Sequence, residues 1–118
     1  MNHKELDLWK KSIEYVSIIY ASTKEFPSDE KFGLTSQLRR AAVSIPTNIS
    51  EGAARNSNKE FIHFLYIALG SESEVETLLT ISVNLEYIEK EDFNVLISLL
   101  DDIKKMTLGL IKYLKNKS

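Results

Sequence analysis

Glu60 and His63 stand three residues apart in helix-forming sequence, so both side chains would leave a helix on one face, as a Glu-x-x-His pair does when it ligates metal in di-iron bundles. Such a site needs a second Glu-x-x-His pair and two more inward carboxylates, and the other histidine, His3, lies near the start of the chain. The pair is therefore expected to be a loop-proximal surface pair without metal. A second set of candidates is Arg39, Arg40, Asn48, Glu51, Ser71 and Glu74. Carboxylates and guanidinium groups are capable of acid–base work, but neither an activated nucleophile nor a glycine-rich phosphate cradle accompanies them. They are expected to form a structural polar network in which Arg39 or Arg40 pairs with Glu74 or Glu51 and fixes helix register or a subunit contact. No catalytic residue, cofactor or metal is expected, and the chain reads as non-enzymatic.

The elements that must position these residues are helical. Two prolines and four glycines punctuate 118 residues, and no alternating pattern bounded by turns suggests strands. Leu6, Trp9, Ile13, Val16 and Tyr20 recur at spacings of three and four and predict a first helix that stops before Pro27 and Ser28. A second stripe runs Leu34, Leu38, Ala41 or Ala42, Ile45, Ile49 and Ala53, after which Ser57 or Asn58 is placed to cap a third helix. The third stripe is Phe61, Leu65, Ala68, Glu72, Val75, Leu79 and Ser82, and the fourth is Phe93, Ile97, Leu100, Ile103, Leu110 and Leu114. Short connections make neighbouring helices antiparallel, so residues 1–118 are expected to form one all-α domain, an up-down-up-down four-helix bundle. Pro46, inside the second helix, removes an N–H and crowds the carbonyl of Ala42, which predicts a kink there. The small residues Ala41, Ala42 and Ser44 would let a neighbouring helix come close, with Ser44 level with Gly70 and Arg40 level with Glu74.

At 43% hydrophobic residues the chain has enough apolar side chains for one core. It contains no cysteine, which excludes disulfides, thiolate metal sites and a cysteine nucleophile and fits a reducing compartment. The charged start, MNHKELDLWKK, lacks the apolar run of a signal peptide, and no segment approaches the roughly 20 apolar residues of a membrane span. A cytoplasmic location without membrane attachment is expected.

Three segments, LWKKSIEYV, LTSQLRRAAVSIPTNISEGAAR and KEFIHFLYIALGSESEVETLL, cover nearly the whole chain in this order. Together they resemble the bacterial four-helix-bundle proteins named for the 23S ribosomal RNA intervening sequences that encode some members. The resemblance implies a four-helix bundle, commonly a ring of five subunits, with no established enzymatic activity. The fold also resembles that of the accessory proteins of diversity-generating retroelements, which bind a reverse transcriptase and nucleic acid.

Self-association is also expected from the residues themselves. Between Phe61 and Leu69 every residue except His63 is apolar or aromatic. At 100° per residue Phe61, Leu65 and Ala68 share one side, Ile67 takes the other, and Ile62, Phe64, Tyr66 and Leu69 lie between. A helix of a small bundle needs one apolar stripe, so this all-round pattern predicts either a second copy over Phe64 and Ile67 or a helix enclosed within the monomer.

Charge is uneven although the net value is −2. Residues 72–102 hold nine acidic side chains and one lysine, Lys90, whereas Lys104, Lys105, Lys112, Lys115 and Lys117 follow without an acid. In an up-down bundle one end would collect Lys4, Lys10, Lys11, Arg55, Lys59, Lys112, Lys115 and Lys117, diluted by Glu5, Asp7, Glu14 and Glu60. The opposite end would be acidic around Glu86, Glu89, Glu91 and Asp92. Repeated around a ring, the basic end would make a rim able to follow a phosphate backbone; the alternative is a set of solubilising lysines that complement helix dipoles. The functional expectation is a homo-oligomeric scaffold, five-membered by resemblance, whose partner is RNA, DNA or a nucleic-acid enzyme; the alternative is an adaptor for proteins only.

Overall fold

The computed structural model describes residues 2–117. Four helices, α1 (Asp7–Ser22), α2 (Leu34–Ala53), α3 (Asn58–Asn84) and α4 (Lys90–Lys117), follow one another, with single 3-10 turns at His3–Glu5 and Ser28–Glu30. There is no strand among the described residues. Contacts between neighbouring helices run in opposite senses along the chain. Ser44 meets Ser71 while Gly52 approaches Phe61, and Glu72 meets Thr107 while Glu76 meets Lys104. Each helix touches the two beside it, α1 against α2 and α4 and α3 against α2 and α4, which closes an antiparallel bundle 46 × 24 × 20 Å in extent.

Local chemistry sets the helix ends. Ser57 Oγ caps α3 by accepting the Glu60 N–H at 3.2 Å, and donates its own proton to Glu60 Oε2 at 3.3 Å. The end of α3 turns at Glu86, whose φ of 63° is left-handed. There the Tyr87 N–H reaches the Ser82 carbonyl and the Glu86 N–H reaches the Val83 carbonyl, the pairing of a Schellman cap. Tyr87 then lies 5.5 Å from the Phe26 ring and donates its hydroxyl to Glu30 Oε2 at 2.9 Å. Glu30 Oε1 accepts the Leu34 N–H, so one carboxylate caps α2 and ties together the two loops at this end.

The apolar stripes of α2 and α3 line the core at the positions their spacing predicts, including Glu72 and Ser82. The α1 face is rotated, and the α4 face is kept at only half its expected positions. In α1 the buried residues are Leu8, Ser12, Tyr15 and Ile19, whereas Ile13 and Tyr20 are each 41% exposed. Hydrogen bonding explains the difference: Ser12 donates to its own Leu8 carbonyl and Tyr15 donates to the Leu96 carbonyl of α4 at 2.9 Å, so both turn inward with their polar atoms satisfied. Leu6, Trp9 and Val16 instead border the core from the side. In α4, Leu96, Thr107 and Ile111 join Leu100, Ile103 and Leu114 inside, and Phe93, Ile97 and Leu110 are only half-buried.

Pro46 lies within α2 without ending it, its ring buried. Around it, Thr47 donates to the Val43 carbonyl and Asn48 to the Ser44 carbonyl, each at 2.8 Å. Ser44 pairs with Ser71, one position beyond the expected Gly70.

A Cβ added at Gly52 would lie 2.8 Å from both Phe61 Cδ1 and Phe64 Cβ. Gly52→Ala should therefore cost about 1–3 kcal/mol through overpacking, read as a lower urea midpoint at unchanged slope. In the same assay Glu86→Gly should raise stability by up to about 1 kcal/mol, because it relieves a left-handed residue that carries a side chain.

Candidate functional site

The polar residues of α2 and α3 form one directed chain rather than the expected six-membered network. Asn48 Nδ2 donates to Ser44 Oγ at 2.9 Å, Ser44 and Ser71 share a 2.8 Å hydrogen bond, and Ser71 donates to the Ile67 carbonyl at 3.3 Å. Because Ser71 has a single proton and spends it on Ile67, Ser44 is the donor to Ser71. The other candidates lie elsewhere. Arg39 donates from Nε to Thr23 Oγ1 at 2.8 Å and from Nη2 to the Tyr20 carbonyl at 3.2 Å, and its guanidinium covers the Tyr20 ring at 4.6 Å. Glu51 pairs with Arg55 along α2 at 3.4 Å. Arg40 and Glu74 are exposed, and the two ion pairs among the described residues, Glu51–Arg55 and Glu76–Lys104, include neither. The expected pairing of Arg39 or Arg40 with Glu74 or Glu51 is thus not made within the protomer; Arg39 finds hydroxyl, carbonyl and ring partners on α1 instead.

The eight cations of the expected rim, Lys4, Lys10, Lys11, Arg55, Lys59, Lys112, Lys115 and Lys117, are all exposed. Three rest on aromatic faces: Arg55 on Phe64 at 4.7 Å, Lys115 on Tyr66 at 5.3 Å and Lys117 on Tyr113 at 5.1 Å. Lys115 Nζ also donates to the Tyr66 hydroxyl at 2.9 Å. Cations and rings alternate on the surface where α3 begins and α4 ends. Tyr66 and Ile67 are 47% and 40% exposed and Phe64 is half-buried, so the protomer does not enclose α3. The opposite end is acidic around the α3–α4 turn, and Glu25, Asp29 and Glu30 lie in the α1–α2 connection beside it. Its α1–α2 corner carries Lys24, Lys31, Arg39 and Arg40, a basic patch that the count along the chain does not reveal.

Glu60 is committed to capping α3, and His63 is exposed with its ring 5.6 Å from that of Phe64. Among the described residues no three His, Cys, Asp or Glu side chains come together as a metal site would require.

The titratable group that sequence reasoning passed over is Glu72, fully buried between α3 and α4. Its Oε2 lies 2.7 Å from Thr107 Oγ1, Thr107 lies 2.9 Å from the Ile103 carbonyl, and its Oε1 has no hydrogen-bond partner. Thr107 has one proton for two acceptors. A protonated Glu72 resolves this by donating to Thr107, which then donates to Ile103. Burial pushes the Glu72 carboxyl up from 4.5 to about 7, opposed by the Thr107 hydrogen bond and the charge of Lys104. The available signal was an acid at a core position of the third stripe. Between pH 4.5 and about 7 the folded protein holds a proton that the unfolded chain has lost, so stability falls as pH rises through that window and levels off above it. Glu72→Gln reproduces the donor to Thr107 without ionising, and its denaturation midpoint should lose this slope across the same window.

The family model of the 23S rRNA-intervening sequence protein matches residues 4–109, from the first turn to beyond the middle of α4. A crystal structure from Bacteroides thetaiotaomicron VPI-5482, described as a protein with unknown function from the S23 ribosomal protein family, is 29% identical. It superposes with a TM-score of 0.80, covering 89% of this chain and 98% of that one. No curated protein matches. The match spans the α2 and α3 segments in which the Ser44–Ser71 seam and Gly52 lie; the chain belongs to the 23S rRNA-intervening sequence protein family.

Proposed function

We propose that the protein is a non-enzymatic, homo-oligomeric scaffold whose assembled basic ends form a rim for nucleic acid or an enzyme acting on it. The observation that carries this reading is the outer face of α3 and its C-cap, where Tyr66, Ile67, Ile81 and the cap residue Leu85 are 40–50% exposed and Gly70 has no atom within 4 Å of an added Cβ. Exposed apolar side chains along a flat helical ridge favour a second copy over solvent. A ring needs two different complementary surfaces on each subunit. The second is supplied by the groove between α1 and α2, lined by Trp9, Ile13, Val16, Val43 and Pro46. Five subunits is the number the sequence resemblance implies.

In such a ring the rim repeats the Arg55–Phe64, Lys115–Tyr66 and Lys117–Tyr113 units once per subunit. Cations interleaved with rings suit a backbone that carries both phosphates and bases. Light scattering of the wild-type protein should give a multiple of the 13.5 kDa protomer mass, five-fold for the proposed ring. Ile67→Asp and Ile13→Asp should each reduce that mass; a 13.5 kDa species at micromolar concentration removes the scaffold reading. Titration with RNA should show affinity that falls steeply with salt and without sequence preference. Failure to bind at low salt leaves a protein-only adaptor.

A further inference from the structure

The α1–α2 corner, at the end of the bundle opposite the proposed rim, holds two adjoining clefts. One, of about 270 Å³, is walled by Tyr20, Lys31, Phe32, Thr35, Arg39 and Arg40. The other, of about 310 Å³, shares Lys31, Thr35 and Arg39 and adds Lys24, Thr23 and Ser28. Four cations and several hydroxyls therefore face a continuous depression, and no carboxylate lines either part of it. The carboxylate best placed by sequence to neutralise Lys31, that of Glu30, is occupied by the Tyr87 hydroxyl and the Leu34 N–H.

Arg39 is held from behind. Its Nε and Nη2 are bonded to Thr23 and to the Tyr20 carbonyl, which orients the guanidinium and leaves Nη1 unused. Arg40 is exposed and outside both ion pairs of the described residues. Beside these charges Phe32 is 89% exposed, the most exposed of the large apolar side chains, with Lys31 Nζ 5.5 Å from its ring centre. Glu25, Asp29 and Glu30 belong to the same connection but line neither cleft, and an open ring next to cations outside any ion pair of the described residues matches a ligand with both a flat face and a phosphate.

We propose that this corner binds single-stranded nucleic acid, with a base stacked on Phe32 and the adjoining phosphate held by Lys31, Arg39 and Arg40. The site lies within one protomer and is separate from the rim, so it goes beyond the reading above. The exposed Ser28 hydroxyl at the cleft edge adds a donor for sugar or phosphate oxygens without reading sequence.

The test is fluorescence polarisation of the full chain with a labelled ten-nucleotide oligouridylate at low salt, with tripolyphosphate as a second, ring-free probe. Phe32→Ala should weaken oligouridylate binding by about 5- to 100-fold and leave competition by tripolyphosphate unchanged. Arg40→Ala should weaken both probes and reduce the salt slope by about the share of one phosphate. Both substitutions are at exposed positions, and unchanged thermal melts verify that the variants fold. Wild-type binding by both variants overturns the proposal. If Lys112→Ala with Lys117→Ala abolishes binding while the corner variants do not, the rim stands and the corner falls; the converse keeps the corner and removes the rim. A lower subunit mass for Phe32→Ala, with oligouridylate binding intact, assigns the exposed ring to a second copy and likewise overturns the proposal.

Discussion

The close approach of α2 to α3 is the constraint on which the arrangement rests. Gly52 brings the α2 backbone against Phe61 and Phe64 with no room for a methyl group, and about two turns away Ser44 and Ser71 meet through their hydroxyls. A glycine and two serines at the crossing keep the helices nearer than larger side chains would permit. That distance has a consequence for the rest of α3. With Phe61, Leu65 and Ala68 committed to the core and Phe64 wedged beside Gly52, Tyr66 and Ile67 are left on the outside. The helix has more apolar surface than its own protomer can cover.

Across the bundle, α3 meets α4 through chemistry of a different kind. Glu72 and Thr107 are wholly buried, and Glu76 and Lys104 pair nearer to solvent. A carboxyl with an unpartnered oxygen in an otherwise apolar layer is costly as an anion and much less so as a neutral acid. The core therefore favours the protonated group, and Thr107, with one proton and two acceptors in reach, is satisfied in that same state. Polar residues at the centre of the bundle, Tyr15 with Leu96 and Ser82 with Leu78 among them, otherwise have their bonds complete.

The two ends differ because loops and helix termini bring different charges together. Arg55, Lys115 and Lys117 meet aromatic rings at one end. At the other, Glu30 bonds Tyr87 and the start of α2, and Lys24, Lys31, Arg39 and Arg40 line the α1–α2 clefts beside an acidic α3–α4 turn. Net charge, being a sum, carries no trace of the division.

The sequence by itself determined the number and extent of the helices, the buried faces of α2 and α3, a cap of α3 at Ser57 or Asn58 and the family, because apolar periodicity, capping residues and the RRAAVSIPTNISEG and ALGSESEVET segments are all local patterns. It misplaced the inner face of α1 and half of that of α4, where Ser12, Tyr15 and Thr107 are buried with their hydroxyls bonded to carbonyl or carboxyl partners, while Leu100, Ile103 and Leu114 lie inside as expected. Periodicity of apolar residues is blind to that compensation. Only the tertiary structure decided that Arg39 turns to Tyr20 and Thr23, that Arg40 and Glu74 remain apart, and that Glu72 has lost its water. Each of these outcomes depends on which atoms from distant segments arrive within hydrogen-bond reach, a quantity set by the distances between helices and absent from the spacing along any one of them.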